Sequence, residues 1–141
     1  MEPSINMTQQ VISKDAFSLD GFMPPMGTEF VCIINKQGRI EQSIFKNGID
    51  ISEDKKEMFV MGIQLQNSMQ SDYDYEFGTV SYTITERENA RFISIPTNVG
   101  ILLAKLNKLL DPFVFVNKIT RMMNPSKISF ASGECINNEY V

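Results

Sequence analysis

Glu86, Arg87, Glu88 and Arg91 crowd one short polar stretch, and carboxylates beside guanidinium groups can trade protons or hold an anion. A second cluster, Glu53, Asp54 and Glu57 around Lys55-Lys56, offers the same residue types. A third, Ser71-Asp72-Tyr73-Asp74-Tyr75-Glu76, is rich in oxygen ligands. Each has a plainer reading. The first solvates a hairpin tip, as surface charges commonly do. The second lies at helical spacing, acid next to lysine, on a solvent-facing surface. The third lacks the Asp/Asn spacing, the central glycine and the closing glutamate of a calcium loop.

The stronger catalytic templates fail on residue type. The chain has no histidine, so no Ser-His or Cys-His pair can form. Its glycines spell neither GxGxxG nor GxxxxGK[ST], the two common phosphate cradles. Two cysteines without histidine or CxxC exclude a Cys/His zinc site. Cys32 lies in the apolar run Phe30-Val31-Cys32-Ile33-Ile34, where it reads as a small buried hydrophobe, and Cys135 lies in a polar tail. We therefore expect neither catalysis nor a cofactor. If a polar group recognises a partner, the two places are the tip with Glu86, Arg87 and Arg91 and the turn at Lys46-Asn47.

At 141 residues, the chain fits one domain with its own core. The net charge of -4 and the scattered lysines argue against nucleic acid and anionic lipid as partners. No apolar run approaches a membrane span. The beginning, Met1-Glu2-Pro3-Ser4, lacks the basic start and apolar stretch of a signal peptide, so the expected location is the cytoplasm.

The elements that must position these residues follow from periodicity. Residues 1–10 read as a polar, mobile end, 11–124 as the domain and 125–141 as a tail. Ile12, Ala16 and Leu19 fit one face of a short helix, which Pro24-Pro25 must terminate. Phe30 to Ile34 is a strand buried on both faces, and Asn35 to Gly38 is a turn. Arg39 to Lys46 is a second strand, with Ile40, Gln42 and Ile44 on one side and Glu41, Ser43 and Phe45 on the other. Strands are expected at Thr79–Glu86, Arg91–Ile95 and Ile101–Leu106. Asp111-Pro112 starts a last helix that reaches Met123.

Between the second and third strands, Asp50 or Ser52 caps a long helix from about Glu53 to Ser71. Met58, Met61, Gly62, Leu65 and Met69 form a continuous stripe along it, expected to cover the sheet. Phe59 and Ile63 then fall on a flank, and Val60 lies almost opposite. Such a strip calls for a second chain, or else for the first helix or the tail of its own chain to cover it.

The phrases FVCIINKQGRIEQSIFKNGI, GTVSYTITERENARFISIP and VGILLAKL, in this order with a helix after the first and last, resemble the Roadblock-like proteins. More narrowly they resemble small proteins of that type from ammonia-oxidising archaea. The resemblance spans roughly Ser13 to Met123. It implies a profilin-like α+β (α/β) sandwich: a five-stranded antiparallel sheet in order 2-1-5-4-3, with the first and last helices on one face and the long helix on the other. It also implies a homodimer through the long helix and a neighbouring edge strand, using Phe59, Ile63, Gln66 and Gln70 together with Glu41 to Phe45, Ser43 and Phe45 among them. The platform so formed would dock a small GTPase or a scaffold protein in signalling. The alternative is a PAS-like small-molecule sensor, since the same strand order recurs there with a ligand cavity.

Overall fold

The computed structural model describes residues 17–123. The expected mobile end, most of the first helix and the tail after Pro125 lie outside the described residues. Five strands form one sheet: β1 (Thr28–Ile34), β2 (Ile40–Ile44), β3 (Thr83–Glu86), β4 (Arg91–Thr97) and β5 (Gly100–Leu106). Their spatial order is β2-β1-β5-β4-β3, with every neighbouring pair antiparallel. Among the described residues, three α-helices connect or cover them: α1 (Glu53–Ser71), the single turn α2 (Asp74–Phe77) and α3 (Pro112–Met123).

The apolar run in β1 is buried because both of its faces are covered. Val31 and Ile33 enter one core with Ile93, Ile95, Leu102, Ala104 and Leu106, under Phe115, Val116 and Ile119 of α3. Phe30, Cys32 and Ile34 enter a second core with Phe92, Ile101 and Leu103, under Val60 of α1. The period-two alternation of strands thus splits one sequence run between two layers. Leu19 and Phe22 join the α3 side, where Phe22 meets Phe115 edge-on at 6.0 Å. The Leu19 N–H donates to Gln42 Oε1 at 2.8 Å, holding this segment against β2.

The turns and caps obey local chemistry. Gly38 adopts a φ of 81°, and Asn35 Oδ1 accepts from the N–H groups of Gln37 and Arg39 at 2.9 and 3.0 Å. Ser52 Oγ accepts from the Lys55 N–H at 3.3 Å, which makes it the cap of α1. Asp111 Oδ1 accepts from the Phe113 N–H at 3.0 Å, ahead of Pro112 in the first turn of α3.

Three expectations need correction. Glu41 is passed over where the register changes between the pairs Ile33↔Gln42 and Ile34↔Ile40. That bulge sends Ile40 to the α1 layer and Ile44 to the α3 layer instead of placing them on one side. The third strand is only Thr83–Glu86: its ladder with β4 ends at the pair Thr83↔Ser94, and residues 79–82, which follow α2 and Gly78, lie outside it. Strand β4 runs through Pro96 to Thr97. Proline fits there because β3 has ended at the pair Thr83↔Ser94, leaving Pro96 flanked by β5 alone.

Candidate functional site: the long helix and the cleft beside it

The largest correction concerns which face of α1 meets the sheet. Val60 is 2% exposed and is the buried residue of this helix. Phe59 and Ile63 pack beside it against the second core, and the Phe59 ring lies 5.0 Å from that of Phe92. They are therefore covered by their own sheet and do not form an outward strip. The stripe expected to be internal is the outer one: Met58 is 72% exposed, Met61 56%, Leu65 62% and Met69 60%. Two apolar stripes compete on this helix, and an aromatic ring with a β-branched neighbour fits the pleated sheet better than flexible thioethers do.

Gly62 lies on that outer face, and a Cβ placed there would meet nothing within 4 Å. It is not needed for packing inside the subunit. The remaining residues of the implied interface are not brought together. Gln66 is exposed and Gln70 half-buried on the far half of α1. Phe59 leans toward β4, whereas Ser43 and the exposed Phe45 belong to the β2 edge at the opposite side of the sheet.

The charged tip is a closed network. Arg91 Nε donates to Glu86 Oε1 at 2.5 Å, and Lys108 Nζ lies 2.9 Å from Glu86 Oε2. These two cations hold the Glu86 carboxyl down at about 2, well below the usual carboxylate range. Arg91 also donates to the carbonyl of Leu110 at 2.9 Å, and Lys108 to that of Arg87 at 2.7 Å. Both cations thus tie the β3–β4 turn to the loop after β5. Arg87 takes part through its carbonyl.

The turn at Lys46-Asn47 is a short 3-10 turn, Lys46–Gly48, entered through Phe45 in the left-handed region at φ 59°. It lies against the start of β1. A Cβ on Gly48 would stand 1.6 Å from the Glu29 carbonyl oxygen, so only glycine fits. Lys105 Nζ bridges Glu29 Oε1 at 2.6 Å and the Gly48 carbonyl at 3.2 Å, fixing the turn to β5.

Between this turn and α1 runs a cleft of about 540 Å3 that sequence reasoning missed. Its accessible apolar surface comes from Ile40 and Met61 over the buried Phe30 and Val60, its cations from Arg39, Lys46 and Lys56, and its carboxylates from Glu53 and Glu57. The residues lie on four separate segments, so no local spacing announces it. Cys32 is a free, buried thiol under the same helix. Burial pushes it up to about 12, with the nearby Lys56 charge pulling the other way. Cys135 lies outside the described residues. Among the described residues, no cluster of three or more acidic or cysteine side chains could hold a metal ion, and no helix is long and apolar enough to cross a membrane.

No protein-family model and no curated protein matches the chain. Solved structures do. A Roadblock/LC7 domain from Streptomyces avermitilis superposes with a TM-score of 0.56 at 10% identity, covering 74% of this chain and 86% of that one. Myxococcus xanthus MglB superposes with a TM-score of 0.55 at 11% identity, covering 74% and 85%. With the strand order β2-β1-β5-β4-β3 and helices on both faces, these likenesses define a Roadblock/LC7-type fold.

Proposed function

We propose that the chain is a Roadblock-type docking module that pairs with a second copy of itself and presents a platform to a protein partner. The supporting observation is the outer face of α1, where Met58, Met61, Leu65 and Met69 stand exposed around Gly62. Exposed apolar stripes of this length mark contact surfaces. A glycine in their midst lets two helix backbones approach closely. The interface thus centres on the methionine stripe in place of Phe59 and Ile63. A small GTPase or a scaffold protein is the partner class that the Roadblock resemblance brings, and the narrower archaeal kinship rests on the strand phrases alone. Docking instead of catalysis accords with the lack of histidine and of any nucleophile–base pair in the sequence. Sedimentation equilibrium tests the assembly: a concentration-dependent dimer is expected, and a monomer at all concentrations would refute it.

The sensor reading keeps one observation in its favour, the cleft, which falls within the roughly 300–1,000 Å3 range of ligand pockets.

A further inference from the structure

Lys56 is the most enclosed cation beside the cleft. Its side chain is 19% exposed, and among the described residues its ammonium has one partner, Glu53 Oε2 at 3.0 Å, on the same helix. An ammonium carries three donors, so this leaves donors free at the cleft wall. Arg39 and Lys46 flank the cleft from the β1–β2 turn and the 3-10 turn, and their charged groups engage no acceptor among the described residues. With Glu53 set against Lys56, the lining retains Arg39 and Lys46 against Glu57, a surplus of one positive charge. That surplus stands in a chain whose formal net charge is -4.

Under this charge lies an apolar surface. Half-buried Ile40 and exposed Met61 supply it, over Phe30 and Val60, which are fully buried behind them. A phosphate monoester, with nearly two negative charges at neutral pH, overshoots the surplus. A carboxylate matches it, and apolar walls with a few placed polar groups suit a ligand with a greasy body.

We infer that this cleft binds a small amphipathic carboxylate, its head on Lys56 between Arg39 and Lys46 and its body against Ile40 and Met61. The site lies within one chain and does not depend on the assembly proposed above, although Met61 borders both surfaces.

Calorimetric titration of the full chain with octanoate tests this, with 1-octanol and inorganic phosphate as probes lacking the charge and the apolar body respectively. Saturable octanoate binding is expected, with the other two at least tenfold weaker. Lys56→Gln should weaken octanoate roughly tenfold or more, as loss of a charged hydrogen bond does. The double change Arg39→Gln/Lys46→Gln lies on exposed side chains, and it provides a second readout if Lys56→Gln shifts the melting temperature. No octanoate binding, equal binding of octanol, or binding that the double variant leaves unchanged would each overturn the inference.

Discussion

The rings of Phe59 and Phe92 meet at 5.0 Å with their planes 52° apart, fastening α1 to β4 from inside the subunit. Tilted aromatic pairs contribute about 0.5–1.5 kcal/mol beyond the area they bury. Phe59→Ala should therefore lower folding stability by about 2 kcal/mol, less than a fully buried phenylalanine because the ring is only partly covered. Urea denaturation checks this. Association should be unchanged, and loss of the dimer without loss of stability would reverse the assignment of this face.

The outer stripe should behave in the opposite way. Met61→Glu and Leu65→Glu remove exposed side chains, so monomer stability should move by no more than about 0.5 kcal/mol. Self-association should be abolished in the analytical ultracentrifuge. Gly62→Ala should raise helix stability by about 1 kcal/mol while weakening the dimer, because the added methyl holds two helices apart.

Gly48→Ala should be among the most damaging single-methyl changes in this chain. The new carbon would fall 1.6 Å from the Glu29 carbonyl oxygen, so the turn or the start of β1 must move. A loss of more than about 2 kcal/mol is expected, measured as a shifted denaturation midpoint. The cleft beside the turn should lose its shape in the same variant.

Stability should fall at both ends of the pH scale for separate reasons. Burial raises the Cys32 thiol to about 12, so the unfolded chain releases its proton first. That contribution is complete below the unfolded value near 9 and is lost as pH rises from there toward 12. Glu86 is held at about 2 by Arg91 and Lys108, so its contribution is complete above the unfolded value of 4.5 and is lost as pH falls toward 2. Denaturation of Cys32→Ala and Glu86→Gln across pH should flatten the alkaline and acid limbs respectively. With Cys135 replaced by serine, Cys32 should resist thiol reagents until the chain unfolds.

Much of the layer structure is legible in the sequence. Phe30 to Ile34 announces a strand covered twice, and Asp111-Pro112 announces the start of α3, because both signals are local. The orientation of α1 was not readable. Met58, Met61, Leu65 and Met69 repeat more regularly than Phe59, Val60 and Ile63, so periodicity favours the wrong face. Deciding between them requires knowing that Phe92 offers a ring to pack against, which is a contact between residues far apart in sequence. The bulge at Glu41 was hidden for a similar reason, since it arises from pairing with β1. The cleft draws on β1, β2 with the turn before it, the 3-10 turn and α1 together, and no single window of sequence contains it.

Three of the four large side chains on the outer face of α1 are thioethers in contact with solvent. Peroxide converts such sulfurs to sulfoxides, which are polar, and reductases specific to each epimer can reverse the change. Subunit pairing built on this face should therefore respond to oxidants while the folded subunit, whose cores hold none of these methionines, stays intact. Light scattering before and after mild peroxide treatment should show the mass fall with the circular dichroism spectrum unaltered.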